Sequence, residues 1–320
     1  MTLKFYADLK RAQKLFATHL KTSDYFQVEN IEGNMMKIVI FICILFASCS
    51  HKFYKPYVGP YAENPEFVES VTFQTEDNHQ LKGFLLKSQK PSKGIVIHFH
   101  GNTGNAQTYF IFVEWLIARG YDVFTFDYRG YGESQGSPSR SGLVKDSRAA
   151  IKYITDQRKW DNIYLFGQSL GGNQAIAVVD DSNRHFIDGM IIDSTFYSYA
   201  SVANYHVGDS SLFYPFTWML VGGNSYSAAD YVKSLHVPIM FIHGDKDEMV
   251  PISHSYQLFQ ESSFPKSFIG AVNCGHVEAL AREPIRDAIV QFLESNSLEF
   301  QYIRESTDPE YKKPPSENQN

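Results

Sequence analysis

Cysteine is scarce in this chain of 320 residues: Cys43, Cys49 and Cys274 are all it has. Their spacing matches neither a metal knuckle nor a disulfide framework, so no covalent or metal-stapled scaffold can be read from them. A block of lysine and arginine is lacking too. With 29 basic residues against 35 acidic ones and a formal net charge of -6, the chain has no concentrated positive field for a phosphate backbone, which excludes nucleic acid as the main partner. Internal repeats are absent as well. The uninterrupted apolar run 38–47, IVIFICILFA, would extend about 15 Å as a helix, half of a hydrocarbon core of about 30 Å, and so does not predict a spanning helix. What is abundant is aromatic: 25 Phe and 20 Tyr in a chain that is 43% hydrophobic and 20% charged suit a globular protein with an aromatic-rich interior or binding surface.

The apolar run follows Lys37 and precedes Ser48, Cys49 and Ser50, the layout of a secretory h-region. Its end, L-F-A-S-C, resembles a bacterial lipoprotein signal, although Phe46 stands where such signals carry Leu or a smaller aliphatic residue. A start at Met35 or Met36 would leave a compact signal. The resemblance implies a lipidated Cys49 and membrane attachment at a bacterial cell envelope, with Ser50 compatible with outer-membrane sorting; an unused signal would leave the protein cytoplasmic. The alternative is an amphipathic leader over 1–48 whose apolar run is an anchor or a buried helix. The expected organisation is a signal or anchor region at 1–49, a linker at 50–65, one catalytic domain at 66–296 with a small cap at about 196–235, and a polar tail at 297–320.

Within the domain, 69–75 and 81–86 flank a turn-like EDNHQ and predict an antiparallel lead-in. Apolar runs at 94–99, 122–126, 162–166, 189–192, 238–242 and 267–271 then alternate with helical spacing at 108–118, 142–155, 170–179, 254–261 and 283–293. Continuous apolar strands separated by helices predict an α/β fold: a mostly parallel, doubly wound sheet covered on both faces. Such sheets place ligands beyond the carboxyl ends of their strands.

The candidate chemical groups all follow such strands. Gly167-Gln168-Ser169-Leu170-Gly171 lies between an apolar strand and a helix, where Gly167 and Gly171 remove side chains from a tight turn and Ser169 is held outward as a nucleophile. A hydroxyl needs a base, and His276, in Asn273-Cys274-Gly275-His276, follows the run SFIGA at the same sheet edge. Asp247 is the candidate acid that orients the base, with Asp245, Glu248 and Asp193 as competitors. Backbone N–H groups of Leu170 and Asn102 are the candidate oxyanion donors. The loop Gly101-Asn102-Thr103-Gly104-Asn105 lacks the Lys-Ser/Thr ending of a nucleotide loop. His98 and His100 are expected to share one side of a strand and to support packing, with a metal pair as the alternative. Arg129, in the loop 127–134, is expected to stiffen the site's floor or to contact an anionic substrate, and Cys274 to be a small buried loop residue rather than a nucleophile.

Together HFHGNTGN, FDYRGYGES, GQSLGG, IHGDKDEMVP and NCGH resemble the α/β-hydrolase superfamily. They look like the branch that contains animal α/β-hydrolase-domain depalmitoylases and related bacterial serine hydrolases. The resemblance implies a Ser169-Asp247-His276 triad and an oxyanion hole at Asn102 and Leu170. It further implies hydrolysis of carboxylic esters or thioesters through an acyl-enzyme, a small-molecule or lipid-like acyl substrate, and no cofactor. A peptidase or amidase with the same triad, and a non-catalytic binding protein of this fold, are the alternatives. Aromatic residues of the cap, Phe196, Tyr197, Tyr199, Tyr205, Phe213, Tyr214, Phe216, Trp218 and Met219 beside them, are expected to line an acyl pocket, to dip into lipid, or to pack the cap down.

Overall fold

Runs in which every side chain is apolar can be strands only if both faces are covered, and the computed structural model arranges them so. It describes residues 53–59, 63–207, 225–263 and 265–295. Cys49, the apolar run, the central cap aromatics 213–219 and the tail lie outside the described residues. Eight strands form one sheet: β1 (Val68–Gln74), β2 (Gln80–Leu86), β3 (Ile95–Phe99), β4 (Asp122–Phe126), β5 (Ile163–Gln168), β6 (Gly189–Asp193), β7 (Ile239–Gly244) and β8 (Lys266–Ala271). Their order across the sheet is β1-β2-β4-β3-β5-β6-β7-β8. The β1/β2 and β2/β4 pairs are antiparallel, and all later pairs are parallel. Every residue of β3, β4, β5, β6 and β7 is buried, as a central parallel strand between helical layers requires.

The covering helices are α1 (Arg140–Gln157), α2 (Leu170–Val178), α3 (Tyr199–Val207), α4 (Ile252–Glu261) and α5 (Glu283–Ser295). Helix α5 buries Ile285, Ala288, Ile289, Phe292 and Leu293, an i, i+3, i+4, i+7, i+8 stripe facing the sheet. Helix α1 starts at Ser139, whose Oγ accepts from the Gly142 N–H at 3.2 Å, and ends at Arg158 in the left-handed region with φ 48°. The sheet and its lead-in hairpin are as the sequence predicts.

Two segments differ. The helix expected over 108–118 is three short pieces, Ala106–Tyr109, Phe110–Val113 and Trp115–Arg119. A capping box between Asn105 and Thr108 starts it early, and the Trp115 indole donates to the Phe112 carbonyl at 2.9 Å, beside the interruption at Glu114. The stretch read as a linker is in part a piece of the domain. Tyr54 is buried in the core, and Lys55 and Pro56 pair in parallel with Thr103 and Gly104. The Lys55 N–H donates to Asn102 O at 3.2 Å, Tyr57 N–H to Gly104 O at 2.8 Å, and Gly132 N–H to Tyr57 O at 2.9 Å. Its pairing is made by main-chain groups and its short run, Phe-Tyr-Lys-Pro-Tyr, shows no strand alternation, which is why the sequence concealed it.

Candidate active site

Ser169 sits where β5 turns sharply into α2, with φ 52° and ψ -117°. A serine adopts such a backbone only under constraint. Here the constraint is a set of hydrogen bonds: Ser169 N–H donates to Asp193 O at 2.8 Å, and Ser169 O accepts from Thr195 Oγ1 at 2.7 Å. At Gly171 a Cβ would lie 1.9 Å from Phe99 O, so only glycine lets the start of α2 press against the end of β3. That close approach sets Leu170 beside the loop carrying Asn102. Leu170 is the first residue of α2, where a helical N–H has no acceptor within the helix. Asn102 is fixed from two sides. Its carbonyl accepts from Lys55 N–H and from Tyr131 Oη–H at 2.9 Å, and its side-chain amide donates to Phe53 O.

Across the same sheet edge His276 and Asp247 meet: His276 Nδ1 is 2.7 Å from Asp247 Oδ2. An ionised carboxylate can only accept, so the proton lies on Nδ1 and the lone pair of Nε2 remains for a base. Asp247 Oδ1 accepts from the Met249 and Val250 N–H groups at 2.9 and 2.8 Å. A second imidazole, His243 Nε2, stands 3.1 Å from Oδ2. Burial pushes the Asp247 carboxyl up, but donation from His243 and His276, with the Val250 amide, outweighs it and holds the group well below the usual carboxylate range. His243 is itself pinned, with Nε2 on Val250 O and Nδ1 against Ser255 Oγ, both at 2.7 Å. The two loops can meet because Gly244 has no side chain: a Cβ there would lie 2.2 Å from Cys274 O. Sequence reasoning missed His243, though its place four residues before Asp247 at the end of an apolar strand was the available signal.

The competing acids have other duties. Asp193 is fully buried, and its Oδ2 accepts from Gln168 Nε2 at 3.0 Å and its Oδ1 from Ser194 Oγ at 2.9 Å. Burial raises its carboxyl above the ordinary value. Ser194 Oγ accepts in turn from Val277 N–H at 3.2 Å. The end of β6 therefore joins the Ser169 turn on one side to the residue after His276 on the other. Asp245 Oδ1 accepts from Asn273 N–H at 2.6 Å and ties the two loops together, while Glu248 is exposed.

His98 and His100 are buried and both face Tyr109. His98 has Thr125 Oγ1 on Nδ1 and Gln168 Oε1 on Nε2, each at 3.1 Å, and His100 Nδ1 lies 2.8 Å from Gly101 O. Burial lowers His98 to about 3 and His100 to about 4, so both are neutral supports of the packing. Arg129 is buried against Asp146 and Asp77, which makes it a loop brace and removes it from any substrate-contact role. Cys274 is buried. Of the cap, Phe196 and Tyr199 are core residues, Tyr197 Oη donates to Glu261, and Tyr205 is exposed. A cleft of about 510 Å³ opens beside His276, walled by Ile111, Phe112, Val277, Leu280, Arg282 and Arg286 among others, within the size range of small-ligand sites.

Comparison with known proteins agrees with this fold. The family model described as serine aminopeptidase, S33, matches residues 90–211. The chain is 34% identical over 273 residues, 80% of its length and 93% of the relative's, to an uncharacterized protein, YfhR, of Escherichia coli O157:H7. It is 28% identical over 213 residues to the alpha/beta hydrolase domain-containing protein WAV2 of Arabidopsis thaliana, covering 61% of this chain and 67% of that one. Among solved structures, the esterase Pf2001 of Pyrococcus furiosus superposes with a TM-score of 0.63 at 23% identity, covering 76% of this chain and 97% of that one, a likeness of fold.

Proposed function

This chain belongs to the α/β-hydrolase superfamily, and on that premise we propose that it is a serine hydrolase that cleaves carboxylic esters or thioesters through an acyl-enzyme. The observation that carries the reading is the 2.7 Å contact between His276 Nδ1 and the buried Asp247 carboxylate, in a chain whose Ser169, held in a strained strand-to-helix turn, stands at the same sheet edge. Ser169 Oγ attacks the carbonyl carbon while His276 Nε2 takes its proton. The Leu170 and Asn102 N–H groups stabilise the charge that develops on the carbonyl oxygen. The imidazolium then protonates the leaving alcohol or thiol, and a water that gives its proton to His276 releases the acid. Asp247 stabilises the imidazolium without taking a proton.

The test is labelling with a fluorophosphonate. The wild-type protein is expected to label with one-to-one stoichiometry and to hydrolyse p-nitrophenyl esters, and Ser169→Ala to lose the label and at least about 10³-fold in kcat. A folded wild type that neither labels nor turns over would overturn the reading. The matching family model, that of a serine aminopeptidase, favours a second reading, an amidase with the same residues. Faster cleavage of aminoacyl amides than of esters would establish it.

A further inference from the structure

Among the described residues six large hydrophobic side chains are exposed: Tyr57, Val58, Ile111, Phe186, Tyr205 and Met249. Five of them lie at one end of the molecule. Tyr57 ends, and Val58 follows, the strap that pairs with the Asn102 loop. Ile111 walls the cleft beside His276. Met249 belongs to the Asp247 loop, and Tyr205 is next to His206, whose Nε2 contacts Met249 O at 2.9 Å. All five therefore ring the carboxyl edge of the sheet, where the site opens, and each is between 46% and 70% exposed. Phe186 precedes β6 and so marks the opposite edge. A soluble protein has scattered exposed apolar side chains; their collection around one mouth calls for an apolar partner.

The chain itself names the partner. The apolar run 38–47 ends six residues before Phe53, a reach of about 20 Å when fully extended. Phe53 and the strap then enter the domain at this same edge. The edge also carries both signs of charge, Lys55 and Lys246 against Glu248 and Glu278, all exposed, so it has no field that would select an acidic or basic protein surface. We infer that the carboxyl edge of the sheet docks on a lipid surface, with Tyr57, Val58, Ile111, Tyr205 and Met249 entering the interface. The docking itself is independent of the reaction. Its consequence, that the acyl substrate is drawn from the lipid layer, rests on the hydrolase reading.

The test follows amide hydrogen exchange of the full chain carrying Ser169→Ala, with and without phosphatidylcholine vesicles, so that failure of the hydrolase reading leaves the readout untouched. Segments 55–59, 109–113, 203–207 and 247–251 are expected to exchange at least about threefold more slowly on vesicles, and 183–187 at an unchanged rate. The slowing is expected to survive about 0.5 M salt, because it does not arise from charge. Adding Val58→Asp and Ile111→Asp is expected to abolish it, and Phe186→Asp to preserve it. Equal slowing at 183–187, or none at the rim, overturns the proposal. Slowing that grows with protein concentration in the absence of vesicles overturns it as well, and assigns the rim to a second copy of the chain.

Discussion

Three N–H donors converge on the two oxygens of Asp247, two backbone N–H groups on Oδ1 and His276 on Oδ2, and His243 Nε2, whose contact is with Val250 O, stands 3.1 Å from Oδ2. An amide in its place would turn an NH₂ toward at least one of these donors and would favour the wrong imidazole tautomer. Asp247→Asn is therefore expected to lower kcat about 10³- to 10⁴-fold with little change in KM. Asp193 offers the contrast, because its oxygens receive Gln168 and Ser194 and burial already disfavours its charge. Asp193→Asn is expected to lower kcat less than about tenfold. Turnover of a p-nitrophenyl ester by both variants, with their melting curves recorded to show that each is folded, decides between the two acids; the reverse ranking would move the orienting role to Asp193.

Between elements, the strap 53–57 makes a prediction that separates main chain from side chain. The Lys55 N–H donates to Asn102 O, on the residue whose own N–H is proposed to face the oxyanion, while the Lys55 side chain is exposed. Lys55→Pro removes the donor and is expected to reduce kcat about tenfold or more, the scale of a misaimed oxyanion donor, with KM nearly constant. Lys55→Ala keeps the N–H and is expected to behave as wild type. Equal behaviour of the two variants would show that the strap does not aim Asn102. The same contrast explains what was legible beforehand. Runs such as 163–168 and 239–244 announce buried strands because their side chains record the environment, and GQSLG and NCGH announce the turns after them. The strap, the interrupted 106–119 helix and the Gln168–Asp193–Ser194–Val277 chain are built from main-chain donors, a cap or single polar contacts across more than twenty residues. Such partners leave no periodic mark.

For the molecule as a whole, the buried imidazoles predict how stability varies with pH. Burial lowers His98 to about 3, and His100 and His254 to about 4; His254 Nδ1 accepts from the Tyr197 N–H at 3.2 Å. In the unfolded chain each would titrate near about 6.5. Below that pH the unfolded state binds protons that the folded state refuses, so the stability these groups contribute is complete above about 6.5 and is lost as pH falls toward 4. Each adds a slope of up to about 1.4 kcal/mol per pH unit in that window. Urea unfolding at a series of pH values from 8 to 5 is expected to show a plateau above about 7 and a steepening decline below about 6. His254→Asn, which retains an acceptor for Tyr197 and cannot titrate, is expected to remove one proton's share of that slope. A stability that stays flat down to about pH 5 would mean that these rings are protonated, or reached by water, in the folded protein.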